Sequence, residues 1–160
     1  DFTFDPQGDD AGLIAWLRAI YPPDRPAPAA IVAAPQSGMT DVNFASISVL
    51  NLASLRALEA RADVGLDPRR VRGNLWLDGL APWEEMDLIG ATLVIGDARL
   101  KIVEPINRCR ATEANPDTGK RDMPMLRVLE DGWGHSAFGV YAETTHQGHI
   151  AQDAQVEIIW

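Results

Sequence analysis
The chain has 160 residues, 46% hydrophobic and 23% charged, proportions that suit a soluble globular domain with its own core. Its 14 basic and 23 acidic residues leave a net charge of −9, which opposes nucleic-acid backbones and anionic membranes as partners. Any bound anion must then be held by a local cluster of Arg, Lys and backbone N–H groups. One cysteine cannot form an internal disulfide, which fits a reducing, cytoplasmic setting, and no apolar run is long enough to span a bilayer. The chain opens at Asp1 with DFTFDPQGDD and no basic-then-apolar leader, so it reads as a piece of a longer protein or a processed terminus.

Asp9 or Asp10 can cap a helix near residues 10–20, with Leu13, Trp16, Leu17 and Ile20 at helical spacing and Pro22-Pro23 to stop it. DRPAPAA (24–30) reads as an extended connector, and AAIVAA (29–34) as a short buried strand. SISVL (46–50) is a second strand. A helix near 52–62 follows, capped by Asn51 or Ser54, with Leu52, Leu55 and Leu58 on one face and Gly65 beyond its end. From residue 73 the period becomes two: NLWLD puts Leu75 and Leu77 on one face, and TLVIG and ARLKIVEP flank a hairpin turn at Gly96-Asp97. Asp122 is placed to cap a short helix near 123–130, with Pro124 in its first turn and Gly132 past its end. FGVYAET and QVEII return to alternation, joined by a turn at HQGH. The pattern is mainly β with helical insertions and predicts a mostly antiparallel β-barrel rather than an alternating βαβ fold.

The segment INRCRATEANPDTGKRD (106–122) holds the only cysteine. A lone cysteine is most often a small core hydrophobe. Against that, Arg108 and Arg110 flank Cys109, and nearby cations favour the thiolate that ligates metals or attacks electrophiles. The preceding strand ends at Pro105, so the thiol lies at a strand end, and NPDTGK can form a tight turn offering backbone N–H groups and Lys120 to an anion. His135 is the one histidine outside the terminal turn and allows a Cys–His hydrolase pair. His146 and His149 read as a solvated turn, with no third metal ligand nearby. Asp78, Glu84, Glu85 and Asp87 around Trp83 read as a solvated acidic loop. No P-loop, nucleophile elbow, zinc-protease or dinucleotide motif is present.

Three stretches, VRGNLWLDG, IGATLVIGDARLKIVEPINRCRATEANPDTGKRD and FGVYAETTHQGHIAQDAQVEII, together resemble the MOSC domain found at the C-terminus of molybdenum-cofactor sulfurases. The likeness runs from about DVNFASISVLNLASL to the C-terminus, and Arg-Cys, two residues, Thr, then Asn-Pro-Asp-Thr-Gly is its most specific part. It implies a MOSC-type β-barrel over residues 36–160, with residues 1–35 the tail of an N-terminal β-rich region plus linker. It implies the pyranopterin molybdenum cofactor, with Cys109 the catalytic residue and molybdenum ligand, and Arg72, Asn74, Arg108, Thr112 and Tyr141 as cofactor-binding residues converging near it. Gly73 replaces the family's proline, which would loosen that loop, and Gln152-Asp153 stands where the family has Gly-Asp. Two roles follow from the resemblance. One is an oxidoreductase module that reduces N-hydroxylated compounds with a separate iron–sulfur, flavin or haem donor. The other is a sulfur carrier holding a persulfide on Cys109, served by a cysteine desulfurase. A third reading is a non-catalytic fold with a buried cysteine. Pyridoxal phosphate is not expected to bind this chain, because the sulfurases hold it in a separate domain.

Overall fold
The computed structural model describes residues 3, 5, 10–34 and 39–160, and the chain divides into two compact units, Asp1–Met39 and Thr40–Trp160. In the first unit the helical spacing forms α1 (Asp10–Ile20), and Asp9 lies outside the described residues. Arg18 Nε donates to the Pro28 carbonyl (3.4 Å). The strand expected at 29–34 does not form. Four of its six residues are alanine, which offers little side-chain surface to pack on a pleated neighbour, and Val32 is 81% exposed.

The second unit is built on six strands: β1 (Ser46–Asn51), β2 (Leu75–Leu77), β3 (Thr92–Ile95), β4 (Ala98–Asn107), β5 (Ala137–His146) and β6 (Val156–Ile159). They form one sheet in the order β2-β1-β5-β4-β3-β6. Four of the five pairings are antiparallel; β1 and β2 run parallel. A parallel neighbour needs a crossover, and α2 (Leu52–Ala62) supplies it. Asn51 ends β1 and caps α2, its Oδ1 accepting from the Ala53 N–H at 2.9 Å. Asp63, with φ of 52°, closes that helix ahead of Gly65.

Alternation along the strands separates two apolar layers. Val49, Leu77, Leu93, Ile95, Leu100, Ile102 and Val140 fill the inner layer, joined by Leu75, Ile150 and Ala154. Leu50, Ile106 and Phe138 fill the other, against Leu55 and Leu58 of α2 and Met125 and Leu129 of α3 (Met125–Trp133). The first layer joins Leu77 of β2, at one end of the strand order, to Leu93 and Ile95 of β3, next to the other end, and the sheet curls into a half-barrel. The architecture is mainly β with helical insertions, as the alternation predicts.

Three local expectations change. β4 does not stop at Pro105 but continues to Asn107, with register shifts on either side of the proline that accommodate its missing N–H. Asp122 does not cap α3; Pro124 precedes the helix, Gly132 lies inside it, and Gly134 (φ 74°) closes it. The Asp122 carboxylate is instead taken by Arg70 (2.7 Å) and Asn115 (2.8 Å). Finally, β6 pairs with β3 rather than turning back on β5, so HQGH is only the start of a longer connection.

Two glycines are required by one leucine. A Cβ at Gly73 would collide with the Leu50 side chain and reach 3.1 Å from Trp76 Nε1. A Cβ at Gly139 (φ 80°) would collide with Leu50 and reach 2.8 Å from the Val49 carbonyl oxygen. Gly73 therefore serves close packing rather than loosening the loop.

Candidate functional site
β4 carries the chain to Cys109, which is exposed and free. The cysteine starts a short 3-10 turn, Arg110–Glu113. Thr112, buried, donates from Oγ1 (2.9 Å) and from its N–H (3.2 Å) to the Cys109 carbonyl oxygen. The threonine fixes the backbone under the thiol and leaves the sulfur itself outside that bonding.

Arg108 points the other way. Its Nε and Nη2 donate to the Phe138 carbonyl at 2.8 and 2.6 Å, and its Nη1 to the Val71 carbonyl at 2.8 Å. The guanidinium also lies 5.8 Å from the Phe138 ring centroid. Burial pushes this guanidinium down to about 10, offset in part by Tyr141, Cys109 and Asp41. At neutral pH it remains charged, braces three chain segments and places Arg72, the residue after Val71, beside the cysteine loop.

Arg72 takes the left-handed conformation at φ 50°, ending the 3-10 turn Pro68–Val71. Its carbonyl accepts from Ser48 Oγ (3.3 Å). The Ser48 N–H and Oγ also donate to Asn74 Oδ1 at 2.9 and 2.8 Å. In register, Ser48 stands opposite Tyr141, which in turn stands opposite Glu104. Burial and Asp41 raise the Tyr141 hydroxyl, with Arg108 opposing them, so it stays a protonated donor at neutral pH. Phe44 meets the Tyr141 ring edge-on at 6.4 Å. Arg108, Cys109, Thr112 and Tyr141 thus interact around the end of β4, and Arg72 follows Val71, whose carbonyl Arg108 holds. Asn74 is reached only through Ser48 and has its side-chain oxygen committed there. Ser48, Phe44 and Asp41 escaped the sequence reading; a small hydroxyl inside the apolar run SISVL was the available signal.

The turn NPDTGK differs from the anion cradle expected of it. Asn115 Oδ1 accepts from the Asp117 and Thr118 N–H groups, the Gly119 N–H goes to the Asn115 carbonyl, and the Lys120 N–H goes to Thr118 Oγ1. Those amides are spent on the turn itself, leaving the Lys120 side chain to meet an anion. Arg69, Arg70, Arg72, Arg108, Arg110, Lys120 and Arg121 lie on this loop and the segment packed against it. They are seven of the chain's 14 basic residues, so the region is cationic on an acidic protein. Arg69 is paired with Asp67 and Asp117, Arg70 with Asp122, and Arg110 with Glu113. Among the described residues, the Arg72, Lys120 and Arg121 side chains have no hydrogen-bond or ion-pair partner and are available to an anion.

Two other sequence readings are settled by burial. Glu85 is no solvated loop residue: it is fully buried, and its Oε2 accepts from Asn51 Nδ2 (2.9 Å) and Ser54 Oγ (2.7 Å). His135 packs edge-on against Trp83 at 5.6 Å, and its Nδ1 is buried. The ring belongs to an aromatic cluster with Trp133 and Phe138 rather than to a cysteine pair. Among the described residues no three His, Cys, Asp or Glu side chains come together to hold a metal, and no helix is long and apolar enough to cross a membrane.

A curled, mostly antiparallel sheet with one exposed thiol on a basic loop past a long strand defines a barrel-type domain. A family model described as the MOSC domain matches residues 38–157, and the chain belongs to that family. Two similar relatives are molybdenum cofactor sulfurases of Drosophila. The one from Drosophila willistoni is 32% identical over 101 residues, 62% of this chain and 12% of the relative. The one from Drosophila mojavensis is 30% identical over 107 residues, 66% of this chain and 14% of the relative. The matched region is thus a small part of those proteins. The crystal structure of YiiM from Geobacillus stearothermophilus shares the fold, with a TM-score of 0.52 at 20% identity, over 71% of this chain and 54% of that one.

Proposed function
We propose that this domain binds the molybdenum cofactor at the end of β4, with the Cys109 thiolate as the one protein ligand to the metal. The exposed Cys109 beside unpaired cations on an acidic protein supports this reading. A metal met by a single side chain must arrive with ligands of its own, and a pterin-borne metal does so. When bound, the cofactor supplies a redox-active metal centre. The chain's residues supply the rest: Arg72, Lys120 and Arg121 meet the anionic phosphate, Thr112 holds the cysteine backbone still, and Tyr141 offers a protonated hydroxyl. The family-type reaction is then reduction of N-hydroxylated compounds, with electrons from a separate donor protein. A second reading, a persulfide carried on Cys109 for a cysteine desulfurase partner, is favoured by the sulfurase relatives.

Metal and pterin content of the full protein, purified from a cofactor-competent host, separates these readings when compared with Cys109→Ala. Ligation predicts loss of activity and a changed molybdenum signature. Stability should change by no more than about 0.5 kcal/mol, because an exposed side chain is removed. Sulfur carriage predicts loss of transferable sulfane sulfur with the metal signature unchanged. Unaltered activity, spectrum and sulfur transfer would defeat both.

A further inference from the structure
The half-barrel is left open along β6. Val156 and Ile158 stand in register with Ile95 and Leu93 and therefore point to the same inner face. Those partners are 3% and 0% exposed, whereas Val156 and Ile158 are each 37% exposed. Inward-facing apolar side chains are uncovered at this edge. A cleft of about 740 Å³ lies there, with Leu75, Trp76 and Leu77 of β2 on one side and residues 150–156 on the other. Its size falls within the roughly 300–1,000 Å³ of small-molecule sites, and such sites recur at barrel mouths.

The polar groups of the lining say what the cleft can accept. Among the described residues, no Lys, Arg or His lines it. Of its two carboxylates, Asp78 is paired with Arg56 at 2.8 Å. Asp153, in the left-handed conformation at φ 59°, has no partner among the described residues. Asn74, Gln152 and Gln155 contribute neutral amides. Ser48 occupies the Asn74 oxygen, so the Nδ2 donors are what Asn74 has left to offer.

We propose that the cleft between β2 and residues 150–156 is a binding site for a small uncharged or cationic molecule with an apolar body. The apolar part covers Leu75, Leu77 and Val156, and a cationic group faces Asp153. An anion entering here would lose water, gain no cation and meet a carboxylate, so it is excluded. The inference is independent of the cofactor reading, which requires the cations this cleft lacks.

Benzylamine, benzyl alcohol and benzoate share a ring and differ in charge, and serve as probes on the isotope-labelled full chain observed by NMR. Benzylamine and benzyl alcohol should give saturable shifts at the Leu75 and Leu77 methyls and at residues 150–156, with benzylamine about threefold tighter, the scale of an exposed ion pair. Benzoate should give none. Asp153→Asn keeps a residue that tolerates the left-handed conformation; it should abolish the advantage of benzylamine and leave benzyl alcohol unchanged. The proposal is overturned if no probe saturates, if benzoate binds as well as the others, or if Asp153→Asn preserves the difference between amine and alcohol.

Discussion

Arg108 and Cys109 are neighbours with opposite duties. The guanidinium is turned inward onto two backbone carbonyls 30 and 37 residues away in sequence, while the thiol is turned out to solvent. Arg108→Ala would leave the Phe138 and Val71 carbonyls without these donors, at a cost of about 3 kcal/mol; chemical denaturation of the variant measures it. A wild-type midpoint in that variant would show that the brace is dispensable. The cysteine's exposure was legible in the arginines and the turn around it. The brace was not, because its partners are carbonyls, which carry no residue-type signal. Glu85 was hidden for a related reason: the groups that bury it, Asn51 and Ser54, lie 34 and 31 residues away, so an acidic run looked solvated.

At the scale of elements, Leu50 couples β1 to both Gly73 and Gly139. Gly139→Ala should cost about 3 kcal/mol, since it combines a side-chain collision with a left-handed backbone. Shrinking Leu50 in the same protein should not restore stability, because the Val49 carbonyl still lies 2.8 Å from the added carbon. A double-mutant cycle measured by thermal unfolding checks this; full rescue would place the whole cost on the leucine. The cysteine loop depends on ionised aspartates as well. Arg69 lowers Asp67, its hydrogen bonds the leading cause, and Asn115 then Arg70 lower Asp122. A carboxylate lowered in the folded state stabilises it fully above its ordinary value of 3.8, and that contribution is lost as pH falls through the lower folded value. Melting temperature should therefore hold from neutral pH to about 5 on account of these groups and fall below about 4. Asp122→Asn should flatten part of that fall; an unchanged acid limb would detach the loop's stability from this carboxylate.

For the whole molecule, alternation and capping residues revealed the class of fold, because each strand's inward face is written locally. Strand order was not written locally. β6 looked like a partner for β5 since both alternate and adjoin in sequence, yet it pairs with β3 at the far edge of the sheet. The parallel β1–β2 pair was equally invisible, because successive side chains point to opposite faces in a strand of either direction.

That strand order also sets a timetable. β3 and β4 meet as a hairpin, β5 joins β4 across the cysteine loop and α3, and β1, α2 and β2 form their own local crossover, but within the sheet the two groups join only where β1 meets β5, Ser46 against Glu143. So distant a pairing carries a large loop-closure cost and belongs to the slow part of folding. The Arg108 brace to Val71 and the Ser48–Tyr141 alignment both straddle that join. Until the halves dock, Arg72 and Cys109 are on separate pieces of nascent chain, so the basic loop acquires its full complement of cations only when folding is complete. A half-made chain therefore lacks the assembled basic loop that the finished domain presents.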